Sequence, residues 1–148
     1  MTNSGYLLDT KVISERRQKQ PDPRVLQYID SLHERSVFVS VLTIGELRSG
    51  ADRRRRVDQA HAESIDMWID GIETTYADRI IPGDLAAAKL WGRLQAPRPR
   101  KTIDTLIAAT AVARNLCLVT RNVADIRDTE VDFVNPWDST AGGVRGNG

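Results

Sequence analysis

The sequence has a single cysteine, Cys117, which excludes an intrachain disulfide and leads one to expect a reducing, cytoplasmic setting. Its two histidines, His33 and His61, show no ligand-like spacing and are expected on the surface. No apolar run approaches the roughly 20 residues of a membrane span. The N-terminus has no basic segment leading into an apolar core, so no signal peptide is expected. Net charge is also lacking: +1 in all, so any basic surface must be local. Aromatics are 5% of the chain, and Trp68, Trp91 and Trp137 are expected in core or interface rather than as base-stacking platforms.

What is present is an ordinary globular composition, 41% apolar and 28% charged, over 148 residues. That length suits one domain, able to bury roughly two-thirds of its unfolded surface without staples. Short apolar runs alternate with helical periodicity. Strands are expected over 6–9, 36–40, 79–81, 116–120 and 131–134. Helices are expected over 11–19, from Pro23 to about Glu34, from Leu42 to about Gly50, over 57–72, after Asp84, and over 103–113, with a short one within 121–126. Residues 52–56 read as a charged connection, and residues 97–101 as a basic one. Alternation of this kind predicts an α/β fold, a three-layer α/β/α domain with a short central parallel sheet. The domain is expected over 1–138, with a flexible Gly-rich tail over 139–148.

Within this frame some acids are poorly placed for solvation. Tyr6-Leu7-Leu8 is an apolar strand ended by Asp9, and an ionised carboxylate there is costly unless it is paired or holds a metal. Glu46 shares a helix face with Gly45, Ser49 and Gly50, where a ligand can come close, while Val41, Ile44, Leu47 and Ala51 form the apolar face. Asp104 opens a helix that is small and apolar nearly all round. Asn122 and Asp125 follow the last long strand. Strand ends and helix starts share one edge of a parallel sheet, so residues a hundred positions apart are expected to converge there. Two carboxylates about 6 Å apart at an effective dielectric near 20 repel by roughly 3 kcal/mol, so such a group requires a cation. Hard oxygen donors without His or Cys select Mg²⁺, with Mn²⁺ as substitute, and point to metal-assisted phosphodiester hydrolysis.

Each residue also has an ordinary structural role open to it: Asp9 and Asp104 as helix caps, Glu46 as a solvated helix residue, Asn122 and Asp125 in a turn. The joint pattern is the stronger signal. Of the remaining basic residues, Arg53–Arg56 read as a solvated run. Arg93, Arg98, Arg100 and Lys101 precede Asp104 and are placed to steer a polyanion toward it.

Taken together, Leu7-Leu8-Asp9-Thr10, Thr43-Ile44-Gly45-Glu46-Leu47, Asp104-Thr105-Leu106-Ile107-Ala108-Ala109 and Leu118-Val119-Thr120-Arg121-Asn122 resemble the four motifs of PIN-domain toxins of the VapC family. The closing Phe133-Val134-Asn135-Pro136-Trp137 resembles the FitB-like branch. The resemblance spans residues 6 to about 138. It implies a Mg²⁺-dependent endoribonuclease, the toxin of a type II toxin–antitoxin module, with Asp9, Glu46 and Asp104 as metal-coordinating acids. Asn122 falls at the fourth position, with Asp125 a helical turn on. It also implies an RNA substrate, a cognate antitoxin, a homodimer within the complex, and operator DNA reached through the antitoxin; no membrane is implied. The sequence departs from the pattern at Lys11, where members carry a small polar residue. That ammonium could pair with the carboxylates, contact a phosphate or face solvent. The alternative function is a catalytically weakened PIN-like domain that only binds RNA or a partner. An aspartyl-phosphate mechanism is disfavoured because Lys11 stands where the phosphatases need a second Asp.

Overall fold

Gly5 begins the central strand, and the reason is steric: a Cβ there would lie 2.5 Å from the Ser36 carbonyl oxygen, so only glycine lets the neighbouring strand come this close. The computed structural model of the chain describes residues 3–138, and the tail expected over 139–148 lies outside the described residues. Strand β1 (Gly5–Leu8) pairs in parallel with β2 (Val37–Ser40) on one side and β4 (Leu116–Val119) on the other. Two-residue strands close the edges, β3 (Ile80–Ile81) beyond β2 and β5 (Phe133–Val134) beyond β4. The order is β3-β2-β1-β4-β5, all parallel. The chain therefore reverses its direction of travel across the sheet between β1 and β4, the place where open α/β sheets make a crevice beyond their strand ends.

Among the described residues six α-helices flank the sheet: α1 (Thr10–Ser14), α2 (Pro23–Ser31), α3 (Val41–Arg55), α4 (Gln59–Thr75), α5 (Leu85–Gln95) and α6 (Thr102–Ala113). Successive residues of β1 feed opposite faces, as the period of two requires. Leu7 packs with Ile107, Ala108 and Ala111 of α6 and Leu94 of α5, while Leu8 packs with Val12, Val25 and Val119. A third cluster, Leu47, Ala51, Ile69 and Ile72, joins α3 to α4. Burying a Leu or Ile in this way contributes roughly 1.5–3 kcal/mol. Trp91, Trp137 and Trp68 each pack, partly buried, on one of the three clusters, and Cys117 is buried, as expected. Among the described residues no helix is long and apolar enough to cross a membrane.

The expected α/β architecture is present, but several boundaries differ. The first helix stops at Ser14 and tightens into a 3₁₀ turn over Glu15–Arg17. The third runs on to Arg55, so the arginine run is its last turn rather than a connection. There Arg55 reaches Asp52 and Asp66, and Arg48 reaches Asp66, Asp70 and Glu73, tying α3 to α4. Its apolar face also differs, since Val41 is 42% exposed while Thr43 is fully buried. Residues 121–126 form a turn without a helix.

Arg98 and Arg100, expected to steer a polyanion, are instead engaged within the fold. Arg98 donates to both carboxylate oxygens of Asp128 and to the Ala124 carbonyl. The Arg100 side chain is 2% exposed and donates to the Leu94 and Asp125 carbonyls and to Asp128. These bonds pin the α5–α6 connection to the turn that carries Asn122 and Asp125. The two guanidinium groups hold the Asp128 carboxyl below the usual carboxylate range, Arg100 most of all. A carboxyl depressed in the folded state stabilises above its unfolded value, and that stability is lost as pH falls through the folded value. Asp128→Asn is therefore expected to lower the urea midpoint equally at pH 7 and pH 5. The deficit should shrink below about pH 4, near the unfolded Asp value. An equal midpoint at pH 7 would contradict this.

Candidate functional site

Asp9 leaves β1 as the N-cap of α1 and is 6% exposed. Glu46 lies in the second turn of α3, directly after β2. Helix α6 precedes β4 and so begins at the edge where the strands end. Lys101 gives that helix no side-chain cap, and Asp104 sits in its first turn, where the helix dipole favours a negative charge. Asn122 and Asp125 lie on the turn after β4. The predicted residues thus reach one edge of the sheet, around the switch between β1 and β4.

Hydroxyl groups organise the acids. The Asp9 carboxylate accepts from the Thr10 backbone N–H at 2.6 Å and from the Thr120 hydroxyl at 2.7 Å. The Thr10 hydroxyl donates to Glu46 at 2.5 Å and lies 3.1 Å from the buried Thr43 hydroxyl. One residue therefore holds Asp9 by its backbone and Glu46 by its side chain. On the other side, Asn122 Nδ2 donates to Asp104 at 2.7 Å and to Asp125 at 3.1 Å. The Asn122 backbone N–H returns to the Thr120 hydroxyl at 3.0 Å. The chain Glu46–Thr10–Asp9–Thr120–Asn122–Asp104 is thus continuous. Thr120 has only a weak signal in the sequence, a hydroxyl residue closing an apolar strand just before the Asn122 turn.

Burial raises the Asp9 carboxyl above its ordinary range, and the negative charges of Asp104 and Glu46 push in the same direction. The hydrogen bonds from Thr120 and Thr10 oppose the rise. Asp9 thus feels both other acids. Among the described residues, no three His, Cys, Asp or Glu side chains close into a ready-made metal cage. The donors are hard oxygens close enough to repel one another, which suits an ion that keeps several of its waters, as Mg²⁺ does. Asp9, Glu46 and Asp104 fit such a group in that form.

Lys11 is exposed and, among the described residues, forms no salt bridge with these acids. It faces instead a cavity of about 800 Å³ beside α1, shared with Arg121. His33 and His61 are exposed, as expected.

A model of the PIN domain family matches residues 6–130. The VapC ribonuclease Y4jK of Sinorhizobium fredii is 34% identical over 142 residues, covering 89% of this chain and 97% of that protein. Toxin FitB of Neisseria gonorrhoeae is 33% identical over 141 residues, covering 88% of this chain and 97% of that protein. The solved structure of FitAB bound to an IR36 DNA fragment superposes with a TM-score of 0.83 at 29% identity, covering 90% of this chain and 96% of that one. The chain belongs to the PIN-domain family, in the VapC group of toxins that also includes FitB.

Proposed function

We propose that the chain is a Mg²⁺-dependent endoribonuclease, the toxin of a toxin–antitoxin pair, acting in the cytoplasm. The observation that carries this reading is a buried Asp9 carboxyl that feels both Asp104 and Glu46. Such a cluster is unfavourable by itself and is relieved by a cation. Asp9, Glu46 and Asp104 hold the ion, partly through water. When bound, it lowers the pKa of a water and offsets charge on a phosphoryl oxygen. The protein supplies the rest. Thr10 and Thr120 fix the Asp9 oxygens, and Thr10 fixes Glu46. Asn122 holds Asp104 and Asp125 in one frame, and Asp125 accepts a hydrogen bond from the attacking water. Because the relatives include a named ribonuclease and a FitAB assembly on DNA, we assign RNA as substrate, an antitoxin as partner and operator DNA as a target of the complex; the family resemblance adds a homodimer as the toxin unit.

Mapping of RNA 5′ ends after brief induction tests this. New discrete ends are expected with the unaltered chain and none with Asp104→Ala at equal abundance. Ends that survive the substitution would overturn the assignment. No new ends from either chain would favour the weakened, binding-only domain.

A further inference from the structure

The cavity beside α1 is lined by Lys11, Arg17, Lys19 and Arg121, with Glu15 and Trp137 among the other lining residues. Its volume of about 800 Å³ falls within the roughly 300–1,000 Å³ of ligand pockets. Four cations meet one carboxylate there, in a protein whose net charge is only +1. That carboxylate, Glu15, is engaged by the Asp22 backbone N–H at 2.8 Å. Asp22, the next acid near Arg121, is paired with Arg24. Among the described residues none of the four cations forms a salt bridge. Arg17 instead lies over the Trp68 ring, 5.4 Å from its centroid.

Position ties this cavity to the acids. Lys11 is two residues from Asp9, hence within roughly 7 Å along the backbone. Arg121 stands between Thr120, which holds Asp9, and Asn122, which holds Asp104. The Arg121 guanidinium lies over the Trp137 ring, 4.8 Å from its centroid; the ring packs on the core, and the Trp137 backbone N–H donates to Asn135 Oδ1 at 3.0 Å. An exposed guanidinium plane on a rigid aromatic base is a surface on which nucleobases stack.

We propose that this cavity is a nucleotide subsite: it holds single-stranded RNA next to the scissile phosphate, with Lys11 and Lys19 on phosphates and the Arg121–Trp137 pair stacking a base. The proposal rests on the nuclease reading for the identity of the polyanion. It gives Lys11, which forms no salt bridge among the described residues, a role, and it places the RNA path on α1 rather than on Arg98 and Arg100.

The test is fluorescence anisotropy of a labelled eight-nucleotide mixed-sequence RNA with the full chain in EDTA, across a salt series. Arg121→Ala is expected to weaken binding about tenfold or more. Lys11→Ala should weaken it less and reduce the salt slope by about 0.7, the value for one phosphate that is no longer neutralised on a single strand. Arg121→Lys, which keeps the charge and folds like the parent, should recover only part of the affinity if stacking contributes. Unchanged affinity and slope in a Lys11→Ala/Arg121→Ala double variant overturn the proposal. So does an absence of binding by the unaltered chain, or loss of affinity for the antitoxin with RNA affinity intact. If RNA binds through the cavity but is not cut on adding Mg²⁺, the subsite stands and the nuclease reading falls.

Discussion

Asp9→Asn is expected to reduce RNA cleavage by about a thousand-fold and, in metal-free buffer, to raise the melting temperature. The first effect follows from removing a charged donor, since the several kcal/mol an ion supplies at a developing phosphoryl charge correspond to roughly that factor. The second follows from burial. A carboxyl raised in the folded state binds its proton more tightly there than in the unfolded chain, so ionising it costs stability. The cost begins as pH rises above the ordinary carboxylate value and is complete once pH passes the raised one. Asparagine never ionises and can still accept from the Thr10 N–H. The stability gain should therefore be largest at neutral pH and vanish below about pH 4. Each kcal/mol relieved is worth about 2–4 °C in a chain of this length. Mg²⁺ should raise the melting temperature of the parent and leave the variant nearly unmoved. Differential scanning fluorimetry with and without EDTA reads both outcomes. A variant that melts below the parent in EDTA at pH 7 would mean that Asp9 is chiefly a structural cap.

The sequence displayed the acids more clearly than it displayed what holds them. Asp9 stands out because an apolar strand ends on it, and Glu46 because its neighbours are small. Both are local signals, and the alternation of short strands with helices carries the parallel sheet. Thr120 is different. Its bond to Asp9 spans 111 residues, so no spacing reveals it. The length of α3 was hidden for a similar reason, because residues 52–56 read as a linker until Asp66 of α4 pairs with Arg55. Arg100 shows the opposite error. It reads as a basic steering group, yet two backbone carbonyls and Asp128 occupy it and its side chain is 2% exposed. Charge in a sequence gives no sign of whether tertiary partners will consume it, and Lys11 and Arg121, beside the acids in sequence, form no salt bridge among the described residues.

Asn122→Asp would turn the clamp at this edge into a repulsion. The Asn122 amide is neutral and donates to two carboxylates, at 2.7 Å to Asp104 and 3.1 Å to Asp125. An aspartate there replaces both donated bonds with facing anions. At about 4 Å and an effective dielectric near 20, each like-charge pair costs about 4 kcal/mol. Protonation limits that cost, since a carboxyl so placed holds its proton to higher pH, at 1.36 kcal/mol per unit of pKa. In EDTA the variant is expected to melt about 10 °C below the parent at pH 7.5, and the gap should narrow as pH is lowered toward 5 and one carboxyl takes a proton. Millimolar Mg²⁺ or Mn²⁺ should close most of the gap, because the added acid is also an added ligand. Calorimetry should then find tighter uptake of the ion than in the parent. If the variant in EDTA melts at the parent's temperature, Asp104 and Asp125 are not close enough to share an ion's field, and the acidic edge is a row of separate caps.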